Sequence, residues 1–456
     1  MEKVTPDVEL FDTHCHLCDE RFSGDLDRVF DSAAESGVTG FMVPGISIES
    51  SLEAAFLSEN RTGVYAAAGI HPNEFGTDFQ YNPADISGIL LRPGVIAVGE
   101  TGLDLYHERT HAELQIEMFT RHIRLAEAFG LTLIVHSRNA EKEVLDVLDY
   151  DIDVPVILHC FTGPSDIAME AAERGYYIGF AGPLTFRKNH RLRDLVRSLP
   201  HDRILIETDA PYLSPEPLRG RRNEPSNVRY VADAVSEIWD MDISATAEIL
   251  KNNSLNVLQR GSRPRTDLVY SLYGNIYMNI TGRCANRCSF CIKERADGIG
   301  GYYLKHHDEP PEGRLESIIE TLSPHMGKEL VFCGYGEPTM RPELLGRLAR
   351  SAADRGFPVR LNTNGTCLSW LSHEETALLL EPFDTVSISL NSSCREEYNS
   401  ICRPSDGNAW DRLMEFIQLA GKAASVSLTA VRHSGAEMQS VKKLAKKLDF
   451  PLRIRG

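Results

Sequence analysis

At 456 residues the chain exceeds what a single hydrophobic core usually supports, so we expect two compact units. Its 42% hydrophobic and 25% charged residues are ordinary for globular protein and exclude extended disorder. The net charge of -17 is concentrated in residues 1–262, where 42 acidic residues stand against 23 basic ones, and this balance argues against tight non-specific binding of nucleic acid. The first seven residues lack signal-peptide features, and no stretch approaches the roughly 18 apolar residues of a membrane span, so we expect a cytoplasmic protein without a membrane anchor.

Short runs rich in β-branched residues alternate with helical stretches between residues 10 and 215, which is the rhythm of a parallel sheet. The sequence predicts eight strands, at 10–17, 40–47, 64–71, 96–104, 131–138, 154–160, 177–181 and 204–209. Eight parallel strands close into a TIM (β/α)8 barrel, in which the chemistry lies at the carboxyl ends of the strands. Polar residues at those ends are therefore the first candidates for function.

Six side chains that can bind metal fall at these strand ends. His14 and His16 follow the first strand, and both imidazoles share one face because side chains alternate along a strand. The other four follow the fourth, fifth, sixth and eighth strands, and they are Glu100, His136, His159 and Asp209. Mixed nitrogen and oxygen ligands suit Zn, Mn, Fe or Mg, and six ligands suffice for two divalent metal ions that share one carboxylate. The pattern predicts hydrolysis by a metal-activated water.

The segments around these residues resemble the TatD family of metal-dependent deoxyribonucleases, over about residues 8–260. The resemblance is carried by residues 11–17, 69–72, 98–104, 136–138, 159–163 and 207–213. It implies that His14, His16 and Asp209 hold one metal ion, that His136 and His159 hold the other, and that Glu100 bridges the two. Asp209 and Glu100 are then the candidate catalytic residues, with Asp209 as proton shuttle for the attacking water. The family acts on single-stranded DNA, although some relatives instead remove D-amino acids from charged tRNA.

Three further residues are candidates for contacts to substrate phosphate groups. His71 lies at the end of the third predicted strand, where a packing role is equally open. Arg221 and Arg222 belong to a basic cluster after the eighth strand, on the catalytic side of the barrel. A solvated charged face explains that cluster equally well.

A helical tail over 228–258 completes the first unit, which we expect to span 1–262 as a metal-dependent hydrolase domain. Gly, Ser and Pro residues then predict a linker over 263–274. The strand–helix alternation restarts with strands near 276–280, 329–333, 359–362, 385–390, 426–430 and 452–454. Six such units form an incomplete barrel, so we expect a partial (β/α)6 domain over 275–456.

Three closely spaced cysteines follow the first strand of this second unit: Cys284, Cys288 and Cys291. Most [4Fe–4S] and structural zinc sites use four protein ligands, so three thiolates leave one iron open for a substrate or cofactor. The spacing is similar to that of the radical S-adenosylmethionine (SAM) superfamily. The resemblance implies that the open iron binds SAM and that an electron from the cluster cleaves it to methionine and a 5'-deoxyadenosyl radical. An electron donor such as flavodoxin or ferredoxin is implied as a partner.

The segment 334–338 follows the second strand of this unit and resembles the superfamily's Gly-Gly-Glu segment, with Tyr335 in place of a glycine. The resemblance implies that Gly336 and Glu337 contact SAM, chiefly through the backbone. Asn364 follows the third strand and Ser389 ends the fourth, both placed to hydrogen-bond SAM, although turn chemistry explains each one taken singly. The remaining thiols of this unit show no compact ligand spacing, so a second cluster is not expected.

Three functions remain open at this stage. The first is a bifunctional enzyme, in which one barrel hydrolyses phosphodiesters and the other performs radical chemistry. In the second, one barrel is a binding module that delivers substrate to the other, but complete ligand sets in both halves argue against it. The third keeps the hydrolase and assigns it aminoacyl-tRNA or another ester or amide, because the strongly acidic first unit offers few cations for DNA.

Overall fold

The computed structural model describes residues 8–75, 83–106, 111–148 and 152–455. The chain divides into two compact units, Met1–Arg265 and Thr266–Gly456. The first seven residues, which carried the expectation about a signal peptide, lie outside the described part. Within that part, no helix combines the length and the apolar character that a membrane crossing requires.

The first unit is a sheet of eight parallel strands whose spatial order is their order in the chain. Its strands are β1 (Leu10–Asp12), β2 (Val38–Pro44), β3 (Val64–Ala68), β4 (Val95–Asp104), β5 (Thr132–Arg138), β6 (Val156–Leu158), β7 (Tyr177–Phe180) and β8 (Ile204–Ile206). Backbone bonds join β1 to β8: the Thr13 N–H donates to Ile206 O at 3.2 Å, and the Asp209 N–H donates to His14 O at 2.9 Å. This confirms the predicted TIM barrel.

The described residues of this unit form nine α-helices: α1 (Leu26–Glu35), α2 (Ile48–Asn60), α3 (Pro83–Leu90), α4 (Ala112–Phe129), α5 (Glu141–Val147), α6 (Ser165–Glu173), α7 (His190–Ser198), α8 (Val228–Trp239) and α9 (Ile243–Val257). Their apolar residues recur at helical spacing, as in α8, which buries Val231, Val235 and Ile238. Met42, Ala67 and other fully buried residues form the core inside. The packed core fixes the strands, so the polar residues at their carboxyl ends are held on a rigid frame.

The second unit is built on a seven-stranded sheet. Its strands are β9 (Val269–Leu272), β10 (Asn275–Met278), β13 (Leu330–Phe332), β14 (Val359–Thr363), β15 (Thr385–Ser389), β16 (Ser425–Val431) and β17 (Leu452–Arg455), with a separate hairpin of β11 (Gly298–Ile299) and β12 (Tyr302–Tyr303). The six strands from β10 to β17 in this sheet are parallel, in the order β10-β13-β14-β15-β16-β17. They are the six predicted strands, so the partial barrel is confirmed.

The segment expected as a linker differs from that expectation, because β9 pairs with β10 in antiparallel fashion. Val269 and Tyr270 are buried. The two residues that connect the strands, Tyr273 and Gly274, both have positive φ, at 53° and 76°. Two such residues form the tight hairpin turn whose twist matches that of paired strands. The chain therefore enters the second sheet before residue 275.

Six α-helices accompany this sheet: α10 (Glu312–Thr321), α11 (Pro342–Asp354), α12 (His373–Leu380), α13 (Arg395–Cys402), α14 (Ala409–Ala423) and α15 (Met438–Leu448). One face of the parallel strands is apolar and fully buried, through residues such as Leu361, Ile388 and Leu428. The alternate residues along the same strands are polar, including Asn362, Ser387 and Thr429. The concave side of the partial barrel is therefore polar and lies open to ligands.

Candidate active sites

Six predicted side chains of the first unit converge at the carboxyl end of its barrel. Glu100 is at the centre, with one carboxylate oxygen toward each group of ligands. Its Oε2 lies 3.2 Å from His14 Nε2 and 3.7 Å from His16 Nε2. Its Oε1 lies 2.9 Å from His136 Nδ1 and 3.0 Å from His159 Nε2. Two pairs of imidazole nitrogens thus face opposite oxygens of one carboxylate.

Asp209 completes the first of these groups, with its Oδ1 3.3 Å from His16 Nε2. The nitrogens of His14 and His16 are 3.3 Å apart. The ligand atoms of these three residues lie close enough together to bind one cation. Buried imidazole nitrogens that face one another across so short a distance are a donor set for a transition-metal ion, so the residues present fit divalent metal.

The backbone explains how Glu100 reaches the centre. The pairing of β4 with β5 shifts register between Val98 and Thr101, so that Gly99 and Glu100 form an irregularity in the ladder. Such bulges redirect side chains near active sites. The Glu100 side chain is buried and only 3% exposed. The strand therefore turns this carboxylate into the barrel mouth, where it contacts all four imidazoles.

Two carboxylates outside this set face the far ring nitrogens of His159 and His136, and the sequence interpretation missed both. Glu207 is fully buried, and its Oε1 accepts the Cys160 N–H at 2.6 Å and lies 3.2 Å from His159 Nδ1. Asp104 Oδ2 lies 3.5 Å from His136 Nε2. A partner on the far ring nitrogen fixes the tautomer and direction of a metal-binding imidazole. Glu207 directly follows β8, two residues before Asp209, so its position at the carboxyl end of a strand was the available signal.

Electrostatics in the cluster favours a bound cation. Burial acts to raise the pKa of Glu100, but the imidazoles of His159, His71 and His14 hold it well below its usual range. Burial acts to lower the pKa of His159, yet Glu100 and Glu207 raise it well above its usual range. The same negative potential that retains a proton on His159 attracts divalent metal.

A cavity of about 590 Å³ opens over this cluster. His71 lines it, with Nε2 3.5 Å from Glu100 Oε1, and its Nδ1 accepts the Asn73 N–H at 3.1 Å. That hydrogen bond leaves the proton of a neutral ring on Nε2, where it points toward the cluster. Arg138 and Tyr212 also line the cavity, and sequence reasoning missed both of them.

The two arginines predicted to contact phosphate are placed elsewhere. Neither Arg221 nor Arg222 is among the described residues that line the cavity. Arg222 donates to Asp25 at 2.7 Å and to Glu224 at 2.7 Å, and its guanidinium group stacks on the ring of Phe22. Two carboxylates therefore satisfy this cation, and its role in the fold is to tie together segments of the barrel.

In the second unit, the loop that carries the three cysteines is anchored to the end of α13. The Arg287 N–H donates to Cys402 O at 3.0 Å, and the Ser289 N–H donates to Ile401 O at 2.9 Å. Cys284, Cys288 and Cys291 all line a cavity of about 650 Å³. Three thiols on one short loop, facing open space, fit a cluster with a free coordination position.

The four predicted SAM contacts line the same cavity: Gly336, Glu337, Asn364 and Ser389. A Cβ at Gly336 would lie 2.3 Å from Thr281 O, so only glycine fits at this close approach. Glu337 is buried, which raises its pKa, and its carboxylate accepts the Thr363 hydroxyl at 2.7 Å and the Asn364 N–H at 2.7 Å. Its side chain therefore fixes the loop after β14, while the backbone of the segment faces the cavity.

Tyr335 and Cys402 extend the sequence interpretation. Tyr335 stands where a glycine was expected, and it packs in a cluster with Tyr270, Tyr302 and Leu304. Its hydroxyl donates to Ala296 O at 2.7 Å, so the ring closes one wall of the cavity. Cys402 also lines this cavity, beside the Cys288 thiol. The two cysteines are far apart in the chain, so spacing gave no signal for this contact.

Comparison with known proteins matches both units. Residues 11–259 match the family model for TatD related DNase, and residues 278–448 match the radical SAM superfamily. A protein named uncharacterized metal-dependent hydrolase YabD, from Bacillus subtilis, is 36% identical over 54% of this chain and 97% of its own length. A protein named 3'-5' ssDNA/RNA exonuclease TatD, from Cronobacter turicensis, is 34% identical over 50% of this chain and 89% of its own.

A solved structure also matches the first unit. The crystal structure of YjjV, a TatD homologue from Escherichia coli, is 29% identical, covers 55% of this chain and 98% of its own, and superposes with a TM-score of 0.51. A radical SAM domain implies a [4Fe–4S] cluster and SAM. The chain belongs to the TatD family of metal-dependent hydrolases and carries, after that domain, a radical SAM domain.

Proposed function

We propose that the first unit hydrolyses phosphodiester bonds of single-stranded nucleic acid with two divalent metal ions. His14, His16 and Asp209 would hold one ion and His136 and His159 the other. The observation that carries this proposal is the position of Glu100, whose two oxygens face different imidazole pairs. A carboxylate in that arrangement would hold both ions. When bound, the ions supply an activated water and positive charge for the phosphoryl group.

The chain's own residues have distinct tasks in this proposal. Asp209 is at the cavity and is 15% exposed, so it can accept a proton from the attacking water and pass it to solvent. His71 directs its Nε2 hydrogen toward the same space and can donate to a phosphate oxygen. Glu207 and Asp104 keep the imidazoles in their binding orientation.

The cavity supports a single strand as the substrate. Its volume of about 590 Å³ suits one nucleotide at a strand end better than a stretch of duplex. Tyr212 is 49% exposed at the cavity wall, and Arg21 packs over its ring at 4.3 Å from the centroid. An exposed aromatic ring stacks on bases of any sequence. The relative from Cronobacter turicensis is named as an exonuclease of single-stranded DNA and RNA. This name favours the phosphodiester bond of nucleic acid over the ester bond of aminoacyl-tRNA as the bond that is cleaved.

A nuclease assay tests this proposal. The full chain is incubated with a single-stranded oligodeoxynucleotide and Mn²⁺, and shortening from the 3' end is followed. Glu100→Gln and His159→Ala are expected to lower the rate at least 100-fold, because each removes a proposed metal ligand. Cys288→Ala is the matched control, since it changes the other unit. Full activity in the Glu100 variant would overturn the site assignment.

For the second unit we propose that Cys284, Cys288 and Cys291 hold the cluster and that Gly336, Glu337, Asn364 and Ser389 position SAM. Flavodoxin or ferredoxin would supply the electron. When bound and reduced, the cluster supplies the electron that cleaves SAM. None of the ten cysteines is paired in a disulfide, which fits a reducing compartment, and we infer a cytoplasmic location.

Anaerobic reconstitution tests the radical half. Wild-type protein is expected to bind iron and sulfide and to form 5'-deoxyadenosine from SAM after reduction. Cys288→Ala should lose both properties, while Cys394→Ala, at an exposed thiol outside the cavity lining, should keep both. Loss of the cluster in the Cys394 variant and its retention in the Cys288 variant would reject the ligand assignment.

A further inference from the structure

The radical SAM unit contains a second cavity, of about 670 Å³, inside its partial barrel. It adjoins the cavity of the cysteine loop, because five residues line both: Cys333, Gly334, Tyr335, Asn362 and Arg455. Any molecule in this second cavity lies next to the proposed SAM site. The radical needs its target within contact distance, so this position is the natural place for the target of the radical.

One side of the cavity is cationic. Arg360 on β14 and Arg453 and Arg455 on β17 line it, and none of the described lining residues is acidic. Arg360 pairs with Glu329, which is outside the lining, at 3.1 Å, while Arg455 donates to the Ser387 hydroxyl at 3.4 Å. Arg453 and Arg455 are exposed residues on β17, the strand at one edge of the open sheet, so their guanidinium groups are available at the cavity wall. Two such groups at one cavity indicate an anionic ligand.

Unmet hydrogen-bonding capacity also indicates a ligand in this cavity. Among the described residues, neither Asn362 Oδ1 nor Arg360 Nε has a hydrogen-bond partner, although both atoms are buried. Buried polar atoms nearly always have a partner, so such atoms at a cavity wall are expected to bind a ligand or water there. The Asn362 carbonyl can accept from a ligand N–H or O–H group, and the Arg360 Nε can donate.

The opposite side of the cavity is aromatic and apolar. Tyr270 and Tyr277 both line it, and their rings are stacked with centroids 5.3 Å apart at an interplanar angle of 14°. Leu272 and Leu304 complete this side. A planar ring gains contact with such a wall through stacking. The cavity thus has one side for a ring and one for a negative charge.

We propose that this cavity is the substrate site of the radical unit and that it takes a small planar-ring compound bearing a phosphate or carboxylate group. The assignment as substrate site rests on the proposed radical function, whereas the binding preference rests on the cavity alone. Arg453 and Arg455 bind the anionic group, and Tyr277 packs against the ring.

Binding measurements on the full chain with reconstituted cluster and SAM test the proposal. The probes are two charged and neutral pairs, guanosine 5'-monophosphate with guanosine, and 4-hydroxybenzoate with 4-hydroxybenzamide. At least one anion should bind about tenfold or more tightly than its neutral counterpart, since charge-assisted hydrogen bonds are lost in the neutral compound. A preference in the guanosine pair indicates that the site binds phosphate, and a preference in the benzoate pair indicates that it binds carboxylate. Equal affinity within both pairs overturns the proposal.

Substitutions of the lining residues test which side chains produce the anion preference. The double change Arg453→Gln and Arg455→Gln should abolish the anion preference, while Arg350→Gln, at an exposed arginine on α11, should keep it. Tyr277→Leu should weaken both members of a pair by a similar factor, about tenfold, because ring stacking is lost from both. An anion preference that survives the double change refutes the assignment. Iron content and SAM cleavage are measured on the same samples. An anion preference in protein that neither binds iron nor cleaves SAM would reject the radical function and leave the proposed binding site standing.

Discussion

Glu207 supports metal binding without being a ligand, so its replacement isolates the orientation of His159. The Glu207→Gln side chain has the same shape, and its carbonyl can still accept the Cys160 N–H that Glu207 Oε1 accepts at 2.6 Å. What is lost is the negative charge 3.2 Å from His159 Nδ1 in a site that is fully buried. Changes at such supporting positions cost about 10–100-fold in metal affinity, or about 1.4–2.7 kcal/mol.

The assay is a titration of metal-free protein with Mn²⁺, with the nuclease rate recorded at saturating metal. We expect weaker binding in Glu207→Gln and partial recovery of the rate at high metal concentration, because all ligands remain. Glu143→Gln, at an exposed carboxylate on α5, is the matched control and should bind metal like the wild type. Unchanged affinity in the Glu207 variant would refute the role given to this carboxylate.

Three more predictions follow from single contacts. Tyr212→Ala should raise the KM for a single-stranded oligonucleotide about tenfold or more with little change in kcat, since it removes a stacking surface at the cavity wall; an unchanged KM would exclude that role. Gly336→Ala should weaken SAM binding in equilibrium dialysis, expressed per bound cluster, because the new Cβ would lie 2.3 Å from Thr281 O and 2.5 Å from Arg283 O; normal affinity would show that the segment does not contact SAM. His122 is buried, with its pKa lowered from 6.5 to about 4, and it accepts the Ile70 N–H at 3.2 Å as a neutral ring. Its contribution to stability is complete above pH 6.5 and is lost as the pH falls toward 4, by about 3 kcal/mol at most. Urea titrations at pH 7 and pH 5 should show a smaller pH effect in His122→Gln than in the wild type, and an equal effect would contradict the prediction.

Much of the fold could be predicted because the strands of both units are short, rich in branched apolar residues and separated by helices. β9 was missed because its four residues and the Tyr273–Gly274 turn look like linker sequence when the pairing partner of the strand is unknown. Pairing supplies the burial of Val269 and Tyr270, and burial by a distant partner is not visible in local composition. The hairpin of β11 and β12 was missed because each of its strands has two residues, too few to show an alternating pattern.

The metal-site candidates could be predicted because each lies in the carboxyl-terminal half of a strand or soon after its end, and a parallel barrel brings those ends together. Partners that act across strands were harder to predict. Glu207 orients His159 from a neighbouring part of the barrel. Arg222 was expected at phosphate because a basic cluster looks the same in sequence whether its charges are free or paired. The structure pairs this arginine with Asp25 and Glu224, and that pairing depends on tertiary contacts.

The bridging position of Glu100 is the central claim, and anomalous diffraction from crystals soaked in Mn²⁺ tests it most directly. Two peaks roughly 3.5–4 Å apart are expected, one against Oε2 beside His14 and His16 and the other against Oε1 beside His136 and His159. A single peak, or a pair of peaks that does not flank the Glu100 carboxylate, would contradict the account.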